Sequence, residues 1–363
     1  MSITIDGGRG EGGGQIVRTS LTLSCITGQP LRMINVRAGR PKPGLANQHL
    51  TAIRAAQQIS SAKVNGASLG SLQFTFEPGP VQPGEYSFDI GTAGSTTLVL
   101  QTIALPLAFT DRNSTVRIIG GTHNPMAPCY EYLESVWAPL LALAGIHIYL
   151  QIKRAGFYPA GGGKIEATII GVGSASSPPS PLEGEGRGEG LGLRAVSIED
   201  RGEIYSIDGF SAVARLPLSI AERQAKQAEL RLSAAGLTHH PITCQSIDAA
   251  SPGTVLFLNC RCRGAPAAFF GLGASGKPAE HVADEAVDQL ITHFSHSGAL
   301  DPHAADQFVL PLALAPGRST FSTTKATDHL VTHVELLQQF LGRKIEFAGR
   351  FGEPGTVRIE PGE

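Results

Sequence analysis

One pattern recurs three times along this chain, and it limits the fold more than any other feature. A short strand runs into a loop of small residues, the loop into an apolar helix, and a turn leads to a second strand. Residues 3–27, ITIDGGRGEGGGQIVRTSLTLSCIT, show it first. Ile3 and Ile5 alternate with polar residues, as in a half-buried strand, and Ile16, Val17, Leu21 and Cys25 then recur at helical spacing. Residues 88–120, FDIGTAGSTTLVLQTIALPLAFTDRNSTVRIIG, copy the plan. Residues 305–323 echo it, with Val309-Leu310-Pro311-Leu312-Ala313 matching Ala104-Leu105-Pro106-Leu107-Ala108. A second helix and strand follow each unit, over 45–64, 130–148 and 328–347. Such a unit is a small sheet with two helices on one face, which must bury its apolar side against its neighbours. The expected fold class is α/β (α+β), built from three repeated units of small sheet plus two helices.

The repeat stops at residues 173–193, GSASSPPSPLEGEGRGEGLGL, where Pro, Gly, Ser and Glu dominate and no apolar period survives. That composition predicts a disordered insertion loop. Beyond it, strands are expected over Ala195–Ile198, Ser206–Leu216, Thr254–Arg263 and Ala267–Phe270, with one helix over Ile220–Ala235.

Bulk properties narrow the function. A net charge of −2 over 363 residues excludes a general polyanion binder, so nucleic acid must meet a local patch. Five scattered cysteines point to a reducing compartment. Met1-Ser2-Ile3 begins a strand rather than a signal, and no apolar run reaches membrane-span length. The expectation is a cytoplasmic protein that does not enter a membrane.

Two loops carry the candidate chemistry. Gly7, Gly8, Gly10, Gly12, Gly13 and Gly14 surround one acid, Glu11, just before the first helix. Backbone without Cβ atoms approaches a ligand closely, and the free N–H groups of a helix start favour an anion. Arg18, one turn in, adds a forked donor. The arrangement reads as a phosphate cradle with Glu11 as a ligand for a divalent cation; a glycine cluster alone reads more readily as a mobile turn. Arg37, Arg40 and Lys42 fall within six residues of one another in the second loop. Pro41 and Pro43 stiffen it, and Gly44 is expected to open the next helix.

Two further motifs are weaker. Gly271-Leu272-Gly273-Ala274-Ser275-Gly276-Lys277 has P-loop spacing, but Pro278 stands where a hydroxyl must bind Mg²⁺, so a turn into the helix Ala279–Phe294 is the better reading. His329 and His333 lie four apart, a spacing that suits Zn²⁺, yet no third ligand accompanies them. His333 alone reads as a surface or capping residue.

Taken together, GEGGGQIVR, VRAGRPKPGLANQHL, IGTAGSTTLVLQT, GFYPAGGG at residues 156–163, ADQFVLP at residues 305–311 and Asp328-His329-Leu330 resemble the RNA 3'-terminal phosphate cyclases nearly end to end. The resemblance implies a large domain of three repeats (1–172 and 277–363), akin to the C-terminal domain of a bacterial translation initiation factor. It also implies a smaller inserted α/β domain (194–276). It implies an enzyme that uses ATP, with Mg²⁺ or Mn²⁺, to turn an RNA 3'-phosphate end into a 2',3'-cyclic phosphate. His329 would be the nucleophile on the α-phosphate, forming a histidine–AMP intermediate and then an RNA adenylate, with Arg18 and Arg40 as its catalytic partners. Asp328 as N-cap would put His329 in the first turn of its helix, where the dipole disfavours imidazolium. Gln101, Pro128, His303, Ala304, Ala305, Asp306 and Gln307 match ATP-contacting positions, His303 standing where relatives often carry an aromatic against adenine. Arg37, Arg40, Lys42 and Gln48 would hold substrate phosphate, and Glu11, with or without Asp306, the metal. Two other readings share the architecture: a cyclase-like protein of ribosome assembly that lacks the nucleophile, and an enolpyruvyl transferase.

Overall fold

A computed structural model describes residues 2–10, 12–172 and 192–362. The first repeat runs β1 (Ile3–Asp6), α1 (Gly14–Thr27), β2 (Leu31–Ile34), α2 (Asn47–Ser60), β3 (Lys63–Asn65) and β4 (Phe74–Glu77). The second runs β5 (Glu85–Asp89), α3 (Thr96–Ala108), β6 (Ser114–Gly120), a three-part helix, β7 (Ile148–Arg154) and β8 (Gly163–Ile169). The three-part helix is α4 (Tyr130–Tyr132), a π-helical turn (Leu133–Trp137) and α5 (Ala138–Leu143). The third repeat opens with β9 (Ser197–Ile198) and is interrupted by β10 (Ile204–Ala214), α6 (Leu218–Ala234), β11 (Thr243–Ser246), β12 (Gly253–Cys262), β13 (Ala267–Leu272) and α7 (Ala279–Ser295). It resumes as α8 (Pro302–Leu314), β14 (Ser319–Thr323), α9 (Asp328–Leu341), β15 (Ile345–Gly349) and β16 (Gly355–Ile359).

The three repeats have one topology. Their sheets run β1-β2-β4-β3, β5-β6-β8-β7 and β9-β14-β16-β15. In each, the first pair is parallel and joined through a helix, and the other pairs are antiparallel. Strands β6 and β8 bury every second residue, the mark of a sheet covered by helices on one face. The sequence placed the start of the third repeat too late. Its first strand lies upstream of the interruption, within the Ala195–Ile198 strand that was expected but assigned to the inserted domain, and its pairing of Ser197 with Thr320 and Ile198 with Phe321 puts it in the third sheet.

Helices α1, α3 and α9 meet in the main core. Helix α3 is buried nearly all round and contains Pro106, which cannot donate to the carbonyl four residues back. That carbonyl, on Thr102, accepts instead from Thr22 Oγ1 of α1 at 2.7 Å. The buried Arg343 closes the end of α8 by donating to the carbonyls of Ala313, Ala315 and Gly317.

The interrupting segment forms its own sheet, β11-β10-β12-β13. Its core joins Ile207, Leu256 and Leu258 to Ala228 and Leu232 of α6, and to Val282, Ala286, Val287 and Leu290 of α7. The expected boundary at 276/277 therefore cuts through this packing, since α7 lies on the inserted sheet. An amphipathic pattern shows that a helix has a buried face but not which core receives it. Most of the expected 173–193 loop lies outside the described residues. Its last residue, Leu193, packs against the main core, and Arg194 N donates to Ala144 O at 2.9 Å. Among the described residues, no helix is long and apolar enough to cross a membrane.

Candidate functional site

A cavity of about 660 Å³ opens where the three repeats and the inserted unit converge. Helix α1 contributes Gln15, Arg18, Thr19 and Thr22; α3 contributes Leu98 and Gln101; α8 contributes His303, Asp306 and Gln307; and α9 contributes His329 and His333. The loop 124–128, Tyr132 and Trp137 form another wall. The π-helical turn between Tyr132 and Trp137 shifts the helical register just where both rings reach the cavity.

A hydrogen-bond network organises the floor. His329 Nδ1 donates to Gln15 Oε1 at 2.8 Å, and Gln15 Nε2 donates to Asp306 Oδ1. His333 Nδ1 reaches the Asp306 carbonyl at 2.8 Å and its Oδ1 at 3.1 Å, while His333 Nε2 meets Thr19 Oγ1 at 3.1 Å. His333 is buried and also lies 3.1 Å from Gln15 Nε2, so it meets three residues, where the sequence alone read it as a surface or capping residue. Across the cavity, Gln101 Nε2 donates to Gln307 Oε1 at 2.8 Å. Asp301 caps α8 by accepting from His303 N and Ala304 N, and Tyr132 Oη donates to its carboxylate at 2.8 Å. The Tyr132 ring meets His303 edge-on at 6.2 Å.

Electrostatics follow from this packing. Burial lowers the His329 pKa, Arg18, His303 and Arg40 add to the effect, and Asp306 opposes it. The balance favours a neutral imidazole. At Asp306 burial works to raise the pKa, but His333, His329 and Gln15 outweigh it and hold the carboxyl below its usual range. Burial brings the Arg18 guanidinium down to about 10, against the pull of Asp306. The N-cap of α9 is Thr327, whose Oγ1 accepts from Leu330 N at 3.1 Å, one residue before the expected Asp328. His329 still falls in the first turn, at the positive end of the helix.

The glycine loop packs as its composition requires. Gly10 has φ +53°, and a Cβ there would lie 2.1 Å from Thr332 Oγ1, so the loop is pressed against α9 one turn beyond His329. Gly13, the N-cap of α1, receives no side-chain cap, which leaves the first N–H groups of a fourteen-residue helix for a ligand. His49 is buried beside this helix start: its Nδ1 accepts from Ala46 N at 3.1 Å, and a Cβ on Gly14 would meet its Nε2 at 2.3 Å. Burial, then Arg18 and Arg37, push the His49 pKa down to about 3. Glu11, the expected metal ligand, lies outside the described residues.

Seven expected residues line the cavity together: Arg18, Gln101, Pro128, His303, Asp306, Gln307 and His329. Ala304 and Ala305 do not; both point into the protein core. Arg37, Arg40, Lys42 and Gln48 lie outside the cavity walls. Arg37 has φ +53° and donates to Gly44 O at 2.9 Å, so it locks its own loop. Gly44 packs against Gly70 three residues before α2 begins, rather than opening that helix. Gln48 Oε1 accepts from Ser95 N at 3.2 Å, tying α2 to the start of α3. Arg40 is near enough to lower the His329 pKa.

Sequence reading missed Gln15, Thr19, Thr22 and His333, and the inserted unit's Phe270, Leu272 and Lys277. For α1 a signal existed: Gln15, Arg18, Thr19 and Thr22 stand at i, i+3, i+4 and i+7, a polar stripe on an otherwise apolar helix. For the inserted unit there was none. Lys277 of the P-loop look-alike bends back to donate to Leu272 O at 2.8 Å and pairs with Glu285, with all three residues on the cavity wall.

A family model described as RNA 3'-terminal phosphate cyclase matches residues 9–347. The RNA 3'-terminal phosphate cyclase of Methylococcus capsulatus is 41% identical over 98% of this chain and 96% of its own length. That of Caldivirga maquilingensis is 42% identical over 99% of this chain and 98% of its own. The enolpyruvyl transferase NikO from Streptomyces tendae overlaps 99% of this chain and 48% of its own, with TM-score 0.37 at 12% identity, too little to bear on fold or activity. With nearly the whole chain matched, this protein belongs to the RNA 3'-terminal phosphate cyclase family.

Proposed function

We propose that this chain converts an RNA 3'-phosphate end to a 2',3'-cyclic phosphate at the expense of ATP, as a ligase acting by nucleotidyl transfer. The observation that carries the reading is His329: a ring held by Gln15 Oε1 at the first turn of α9, kept neutral by burial and by neighbouring cations, facing a cavity of nucleotide size. A neutral imidazole is the nucleophile such a reaction needs.

Three transfers complete the reaction. A ring nitrogen of His329 attacks the α-phosphorus of ATP, the bond to the bridging oxygen breaks, and pyrophosphate leaves. An oxygen of the RNA 3'-phosphate then attacks the same phosphorus, and the P–N bond breaks to free His329. Last, the ribose 2'-oxygen attacks the terminal phosphorus, loses its proton, and expels AMP. The sugar already holds that oxygen beside its target, so the final step needs little further assistance. The enzyme's work lies in making AMP a leaving group.

The residues divide by position. Pro128 and His303 flank the adenine, Gln101 and Gln307 contact the nucleotide, and Arg18 and the uncapped start of α1 receive phosphate. Arg40, Lys42 and Gln48 meet the RNA phosphate outside the cavity, with Arg37 shaping their loop. The described residues contain no group of three or more His, Cys, Asp or Glu that would cage a metal, and Asp306 is engaged by Gln15 and His333. A divalent ion held mostly by phosphate oxygens and water needs few protein ligands. Mg²⁺ or Mn²⁺ with Glu11 as its protein ligand fits that donor set, and it would offset the triphosphate charge.

Incubation with α-labelled ATP tests the reading. The protein should take up acid-labile label, and His329→Ala should take up none. Equal labelling of the two in a single turnover would refute the assignment. A folded wild type that never labels would favour the non-catalytic ribosome-assembly relative instead.

A further inference from the structure

We propose that Tyr158 is a stacking platform for the bases next to the RNA 3'-phosphate, at the far end of a track that begins at Arg40, Lys42 and Gln48. This role rests on RNA being the substrate, as proposed above. Tyr158 is 74% exposed, while its neighbour Phe157 is buried and stacks on His123 with ring centroids 4.8 Å apart. Gly161 N donates to Phe157 O at 2.8 Å and closes the turn, and Ala160 N donates to Ser251 Oγ of the inserted unit at 3.0 Å. The turn is therefore anchored from below and its tyrosine is left facing out. A ring on such a base loses little freedom when a ligand covers it. A lone exposed aromatic is ordinary on a protein surface, and the position of this one sets it apart.

Short contacts link this turn to both substrate regions. Thr122 N and His123 N donate to Gly156 O at 2.9 and 3.1 Å, and Gly156 N donates to Thr122 Oγ1 at 2.9 Å. The turn and the 124–128 wall of the nucleotide cavity thus grow from one base. Both also meet the loop 91–95: Asn124 Nδ2 donates to Ala93 O, and a Cβ on Gly161 would lie 2.8 Å from Ala93 Cα. That loop in turn touches Gln48, since Ser95 N donates to Gln48 Oε1 at 3.2 Å and a Cβ on Gly94 would lie 3.1 Å from Gln48 Cβ. Tyr158 is therefore one loop away from the residues that take the RNA phosphate. Met126, 90% exposed with φ +64°, stands on the cavity side of the same loops. A single RNA strand carries phosphates that suit the cations of the 37–42 loop and bases that suit an aromatic face. Every base has a π-face, so stacking holds a strand end without reading its sequence.

Fluorescence anisotropy of a short single-stranded RNA with a 3'-phosphate, titrated with the full chain, tests the role. Tyr158→Ala should weaken binding by about tenfold, and Tyr158→Leu, apolar but without a ring, by nearly as much. Tyr158→Phe should stay within about twofold of wild type, because the ring remains. The loss in Tyr158→Ala should vanish on a strand whose last two nucleotides lack their bases, since nothing is left to stack. An equal loss on both strands would mean that the side chain supports its own loop, and it overturns the proposal. Unaltered affinity in Tyr158→Ala, or a Tyr158→Leu variant that binds like wild type, overturns it too. Salt gives a second readout. Stacking releases no counterions, so Tyr158→Ala should keep the wild-type slope of log K against log salt, whereas Lys42→Ala should flatten that slope by about 0.7. A flattened slope in Tyr158→Ala counts against stacking. Binding needs no turnover: if wild type never takes label from ATP, the proposed reaction fails, while these affinities still decide what Tyr158 does.

Discussion

His49 should make this protein acid-sensitive, and the size of the effect can be worked out. The ring is 4% exposed, accepts a hydrogen bond from Ala46 N, and has its pKa pushed down to about 3 by burial and by Arg18 and Arg37. In the unfolded chain the same ring titrates near 6.5. Between those values the unfolded state binds a proton that the folded state refuses, so stability falls as pH drops from about 6.5 to about 3 and rises again on raising it. Each pH step in that window is worth about 1.4 kcal/mol, so about 2 kcal/mol is lost by pH 5. His49→Gln removes the titrating group and leaves an amide that can still accept from Ala46. Urea denaturation at pH 7 and at pH 5 should show the variant's deficit relative to wild type shrinking by about 2 kcal/mol on acidification. His293, also buried and brought down to about 4, contributes its own acid loss to both proteins and cancels in the comparison. Two stability curves that run parallel from pH 7 to pH 5 would refute the reasoning, because a constant offset measures lost packing and not a suppressed protonation.

Other outcomes follow from local geometry. Gly10→Ala should cost about 2–4 kcal/mol, combining about 1–2 kcal/mol for a left-handed alanine with the contact against Thr332 Oγ1. Adding Thr332→Ala should recover the contact part and not the backbone part, and simple additivity of the two single variants in thermal melts would rule this out. Arg40→Lys keeps the charge but loses the planar fork, so it should raise KM for a 3'-phosphorylated RNA more than it slows self-adenylylation. Arg37→Ala, which frees the loop held at Gly44 O, should harm RNA use at least as much. Normal cyclisation by both arginine variants would reduce the loop to a solvated surface.

The α/β class, the threefold repeat and seven of the cavity residues were legible in the chain because they rest on local order. Apolar spacing marks a helix wherever it folds, a glycine cluster marks a loop that must pass close to something, and Ala305-Asp306-Gln307 or Asp328-His329-Leu330 carries its resemblance in adjacent letters. Tertiary structure decided whatever depended on which surface meets which. A two-residue strand such as β9 has no period, and only its pairing with β14 makes it the start of a repeat. The apolar stripe of α7 does not say that the inserted sheet will bury it. His333 and His329 stand four apart on one helix face and both line the cavity, yet only His333 is buried, with its Nδ1 against the Asp306 carbonyl of α8. Gln15 is one amide in a polar stripe until folding brings Asp306, 291 positions away, within hydrogen-bonding reach. The sequence by itself determined the elements and the chemical groups they carry, since both follow from short-range periodicity and residue type. Which amide, which carboxylate and which helix end face each other was set only when long-range packing brought separate repeats together.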